Sequence, residues 1–115
     1  MIKPIALALV VMMAFASPAQ ATTVGETVMV AAACFSEEDA LEAASIGAND
    51  GREAVNAYFQ QEGNSCQFSR GPVSVTIVAE IRDVKGKEAH LKVFKVKDSA
   101  GNEAWVLYKV PGQDA

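Results

Sequence analysis

Histidine and tryptophan each occur once in this 115-residue chain, cysteine twice and proline four times, and aromatic residues make up only 7%. One histidine, His90, leaves no His-rich metal site. Two cysteines with one distant histidine also lack the ligand spacing of a zinc site. No glycine-rich phosphate loop is present: Gly47, Gly51, Gly63, Gly71, Gly86, Gly101 and Gly112 are dispersed, each readable as a turn or a cap. Basic residues are few. Ten Lys and Arg against fourteen Asp and Glu give a formal charge of −4, without the clustered positive surface that phosphate backbones require. No repeat or biased tract runs through the chain, which excludes collagen-like, coiled-coil and low-complexity classes, and the length suits one domain.

Half of the residues are apolar, and they are unevenly placed: sixteen fall within the first twenty-one positions. Met1-Ile2-Lys3-Pro4 makes a positive start, Ile5 to Ala16 is twelve residues without a charge, and Ala19-Gln20-Ala21 follows. These are the three parts of a secretory signal peptide. Twelve helical residues rise about 18 Å, short of the ~30 Å hydrocarbon core, so a permanent span is disfavoured. The expectation is a bacterial signal peptide over 1–21 and a single exported domain over 22–115, periplasmic or secreted, with no membrane span after cleavage. Ala31-Ala32-Ala33-Cys34 has the ending of a lipoprotein signal. The polar residues between Pro18 and Thr27 separate it from the apolar run, and lipidation would leave Cys66 unpaired. Loss of Lys3 makes the domain −5. Its halves differ, with Arg52 the one basic residue against eight acidic ones in 22–66, and eight basic against six acidic in 67–115.

Val24, Val28, Met29 and Val30 predict a first strand running toward Ala33. Ser36, followed by Glu37, Glu38 and Asp39, predicts a capped helix start with charge favourable to the dipole. Ala40, Leu41, Ala44 and Ile46 form its inner face, and Gly47 or Asn49-Asp50-Gly51 its end. Asp50 with Glu53 predicts a capping box on a second helix. Val55, Tyr58 and Phe59 form one stripe of that helix, and Gly63 is its stop. From Cys66 the period becomes two. Val73, Val75, Ile77, Ala79 and Ile81 alternate with polar positions, and Lys85-Gly86 turns the chain. A change of parity at Val93-Phe94 predicts a β-bulge or a bent strand there. Ser99-Ala100-Gly101-Asn102 turns into a last strand, Ala104 to Val110. The expected class is α+β: two short helices with an antiparallel β-meander, covered by the helices, by the first strand or by closure into a small barrel. In an exported domain, Cys34 and Cys66 are most simply one disulfide, since 31 intervening residues do not resemble a C-x-x-C redox pair.

No catalytic set emerges. His90 is expected on a solvent-facing position of a Lys-rich strand, with no nucleophile elbow around it. Glu37, Glu38, Asp39 and Glu42 read as a solvated helical face, and Glu80 and Glu103 as lone strand carboxylates. The sequence therefore predicts no enzyme, no metal, no cofactor and no nucleic-acid partner. The candidate partner surface is Lys92, Lys95, Trp105 and Tyr108, with Lys97, Lys85 and Lys87 extending the basic edge. Trp105 and Tyr108 lie on opposite parities, and strand lysines also serve to discourage edge-to-edge aggregation.

Asp98 to Val106, a D-x-x-G turn leading into a strand with W-V, resembles the last hairpin of bacterial SH3-like domains, which implies a small barrel over 73–110. The strand-helix-helix-strand order of 28–78 is similar to that of the LysM wall-binding module, without its G-D-T-L opening. The pattern as a whole resembles small exported bacterial proteins of unknown function and implies location and a disulfide but no site residues. The expected role is a non-enzymatic domain that binds an envelope protein, a cell-wall polymer or an extracellular partner. The alternatives are an inhibitor of an exported or host hydrolase and a peptidoglycan-binding module.

Overall fold

The computed structural model describes residues 23–111, so the expected leader and its cleavage site lie outside the described residues. The elements are β1 (Thr27–Cys34), α1 (Glu37–Asp50), α2 (Arg52–Gln60), β2 (Cys66–Lys85), β3 (His90–Lys97) and β4 (Glu103–Lys109). All strand pairs are antiparallel, and the sheet closes into a barrel in the order β1-β2-β3-β4. Two helices, an antiparallel sheet and a Cys34–Cys66 disulfide agree with the α+β class expected from the sequence.

The barrel depends on β2, a strand of 20 residues that serves two neighbours. Its first part pairs with β1 from Cys34↔Cys66 to Thr27↔Thr76, and its second pairs with β3 from Thr76↔Lys97 to Lys85↔His90. Three irregularities let it curve. Residues 69–72 bulge out between the pairs Ala32↔Phe68 and Val30↔Val73, and single residues, Val78 and Ile81, are extra opposite β3. Bulges of this kind bend a strand and raise its local twist, which a four-stranded closure needs. The β1–β4 seam is held at one pair, Cys34↔Trp105.

Two apolar clusters occupy the two sides of the sheet. Val30, Val75, Ile77, Phe94, Val96, Ala104, Val106 and Tyr108, drawn from all four strands, fill the barrel. Outside it, Leu91, Val93 and Leu107 pack with both cysteines under Ala40, Ala43 and Ala44 of α1 and Val55, Tyr58 and Phe59 of α2. β3 is thus buried on both faces. The Val93-Phe94 parity change therefore needs no bulge in β3, which pairs with β4 without a break from Leu91↔Lys109 to Lys97↔Glu103. The irregularity sits on the facing strand, at Ile81 between the pairs Glu80↔Phe94 and Arg82↔Val93.

Ser36 caps α1 as expected, its hydroxyl accepting from the Asp39 N–H at 3.1 Å. Gly47 does not end the helix. It lies on the buried face, where a Cβ would stand 2.7 Å from Val55 Cγ2 and 2.9 Å from Leu91 Cδ1. The chain continues to Asp50 and turns at Gly51, whose φ of 95° favours glycine. Asp50 is consequently the last residue of α1 rather than the cap of α2, and Gly51 takes the cap position without a side-chain bond.

The β2–β3 turn is gripped by the end of α1. The Ala48 carbonyl accepts from the N–H groups of Glu88 (2.7 Å) and Ala89 (3.0 Å), and a Cβ on Gly86 would lie 2.4 Å from that same oxygen. Backbone cannot yield as a side-chain tip does. Gly86→Ala is expected to cost about 1–3 kcal/mol as an overpacking change, read as a lower urea midpoint at an unchanged slope.

Candidate functional site

The structure separates the four residues of the expected partner surface. Lys95 and Trp105 face each other across β3 and β4, with Lys95 Nζ 5.8 Å from the centre of the indole ring. The same ammonium lies 3.3 Å from Glu103, which also reaches Lys97 at 4.0 Å. Lys92 and Tyr108 are paired three positions along, on the other face of the sheet. Lys92 Nζ is 3.6 Å from Glu80, while Tyr108 lies inside the barrel, edge-on to Phe94 at 5.7 Å. The Tyr108 ring is therefore core. Glu80 and Glu103, read from the sequence as lone carboxylates, each have lysine partners.

His90 is not solvent-facing. It is buried at the foot of β3, with Nε2 on the Asp83 carboxylate and Nδ1 unpartnered. The cause is non-local: docking of the turn on Ala48 brings α1 down over this corner. Among the described residues, the recorded side-chain partner of the ring is the Asp83 carboxylate. Among the described residues, no group of three His, Cys, Asp or Glu side chains is placed to hold a metal ion. Asp39, expected on a solvated face, accepts from the Ser65 hydroxyl (2.7 Å) and N–H (2.8 Å), which lowers its pKa. It ties the start of α1 to the residue before Cys66.

Burial pushes the Tyr108 phenol up to about 12, with a smaller push from Glu26. A raised pKa means that the fold favours the neutral phenol. This contribution is whole below the unfolded value near 10 and is lost as pH climbs toward 12. Tyr108→Phe should accordingly flatten the fall of stability between pH 10 and 12, measured by urea titrations at successive pH values.

Among the described residues, the barrel mouth has the geometry of a binding site. It is a groove of about 440 Å³ between the end of β1, the 69–72 bulge and the Asp98–Asn102 turn. Its floor is the top of the barrel core: Val30, Val75, Val96 and Ala104. Phe35 and Val73 line it while remaining 50% and 40% exposed. Two rim carboxylates are already engaged. Asp98 accepts from the N–H groups of Asn102 and Ala100, both at 2.9 Å, with the Asn102 bonds the main cause of its lowered pKa. Glu103 is held by Lys95 and Lys97. Arg70, exposed on the bulge, lines the same mouth with no ion pair or hydrogen bond among the described residues.

Sequence reasoning missed this site because register creates it. The available signals were Gly71-Pro72, which breaks a strand, and a phenylalanine next to Cys34. Compared with known proteins, the chain matches no family model, no curated protein and no solved structure.

Proposed function

We propose that this chain is an exported, non-enzymatic domain that binds a partner in the cell envelope or outside the cell, with the barrel mouth as its contact site. The observation that carries the reading is the pair of half-exposed apolar side chains, Phe35 and Val73, at the lip of a groove floored by core valines. Isolated exposed apolar residues are ordinary, whereas apolar residues converging on a concavity mark a binding site. The Lys95–Trp105 face adjoins the mouth through Glu103 and is the second part of the proposed surface. The disulfide supports an oxidising compartment. Together with the leader-like segment 1–21, it favours a periplasmic or secreted location. The Asp98–Asn102 turn running into Trp105 in a closed barrel supports the SH3-like reading, and small exported bacterial proteins of unknown function are the class it suggests.

One observation favours inhibition of a hydrolase as a second reading. The 69–72 bulge stands out of the ladder, its Ser69 hydroxyl donates to the Gly71 carbonyl, and it is rooted beside the disulfide. A pre-formed loop inserts into a cleft at low entropic cost.

Photo-crosslinking side chains placed at Phe35, at Val73 and at the exposed Glu53 of α2 test the main reading in living cells. Discrete adducts from the two mouth positions, absent at Glu53, are expected. Adducts from Glu53 alone, or from none of the three, would sink it. An adduct with one hydrolase in a 1:1 complex that Arg70→Gln abolishes would select the inhibitor reading.

A further inference from the structure

We infer that the barrel mouth takes a single-chain amphiphile with an anionic head, such as an alkyl carboxylate, its chain on the valine floor and its head on Arg70. This rests on reading the mouth as a binding site and adds the chemistry of the ligand.

The volume and lining come first. About 440 Å³ lies within the roughly 300–1,000 Å³ of small-molecule sites, which are mostly apolar with a few placed polar groups. The floor offers Val30, Val75, Val96 and Ala104, aliphatic side chains without a donor or acceptor. A methylene chain loses nothing against such a surface and gains from leaving water. A sugar or a peptide backbone would leave hydroxyls or amides unpaired there.

The head group is decided by which rim charges are free. Asp98 is occupied by backbone N–H groups, Glu103 by two lysines and the Ser69 hydroxyl by Gly71. Arg70 alone among these rim groups has donors to offer, and its guanidinium matches a carboxylate in a bidentate geometry. The source is a free amphiphile rather than a membrane. The chain is acidic, with a formal charge of −4, and a negative lipid surface attracts basic segments. The apolar side chains also line a concavity rather than a protruding wedge.

Calorimetric titration of the oxidised protein with dodecanoate below its micellar concentration, and with dodecan-1-ol, tests this directly. The expected result is one dodecanoate per chain. Arg70→Gln weakens dodecanoate by roughly tenfold or more, the scale of a hydrogen bond to a charged group, while dodecan-1-ol keeps its affinity. Val73→Asp, at an exposed lip position, weakens both without unfolding the core. Equal losses for the acid and the alcohol in Arg70→Gln would overturn the proposal, as would binding to phosphatidylglycerol vesicles without binding to monomeric dodecanoate. If dodecanoate fails to bind while crosslinks at Phe35 persist, the ligand class is wrong and the mouth remains a protein contact. If both fail, the site itself is wrong.

Discussion

Replacing both cysteines, Cys34→Ala with Cys66→Ala, should lower the unfolding free energy by roughly 3–4 kcal/mol, the chain-entropy figure for a loop of this length. The bridge spans a sequence separation of 32 and encloses both helices. It also joins residues directly opposite in β1 and β2, at the point where β1 meets β4 through Trp105. Cutting it therefore loosens three things together: the helical layer, the β1–β2 pairing and the barrel seam. Small domains have about 5–15 kcal/mol of stability in total, and the longer helix of this one packs through a thin, alanine-lined face. Urea unfolding of the oxidised wild type, of the wild type in dithiothreitol and of the double variant measures the effect. The reduced protein and the variant should unfold at similar, much lower midpoints. A double variant within 1 kcal/mol of wild type would show that the helices hold without the bridge.

Phe94→Ala should cost about 3–5 kcal/mol, the range for truncating a buried phenylalanine. Phe94 is 1% exposed in the barrel cluster with Val96 and Val106, its cross-strand partner, and its ring meets Tyr108 in a T-shaped contact. A second readout separates this from general loosening. The Tyr108 phenol is held up chiefly by desolvation, so water entering the space left by the ring should lower its titration midpoint toward 10 while the domain stays folded. Lys87→Ala, an exposed turn residue, should stay within about 0.5 kcal/mol of wild type. An unchanged midpoint in Phe94→Ala, with stability also unchanged, would mean that Phe94 is not the centre of the barrel core.

The elements that local chemistry decides were legible before the structure. Ser36 caps α1, the Val55, Tyr58 and Phe59 stripe is buried, and Cys34 meets Cys66. Each rests on residues a few positions apart, or on a pair with no other partner available. Gly47 lies inside α1 and Gly86 in the expected β2–β3 turn, but at both positions the need for glycine is set from outside, which local sequence does not show. Val55 and Leu91 crowd the first, and the Ala48 carbonyl crowds the second. His90 was placed on the surface by strand parity alone, yet a helix docked from more than forty residues away buries it. The length of β2 was obscured by Gly71-Pro72, which the strand accommodates as a bulge rather than a break. That bulge also opens the mouth, so the candidate site was hidden by the same residues that make it. Strand spacing put lysines beside Trp105 and set Trp105 and Tyr108 on opposite faces, whereas the pairing of Lys95 with Trp105 and the burial of Tyr108 follow from register and barrel closure.

The disulfide requires an oxidised chain, and the proposed role requires an exported one. The intact mass of the protein recovered from the periplasmic fraction, with and without alkylation, tests this most directly. The expected result is one species beginning at Thr22, two hydrogens lighter than the reduced chain and inert to alkylation. A full-length cytoplasmic species that takes two alkyl groups would contradict it.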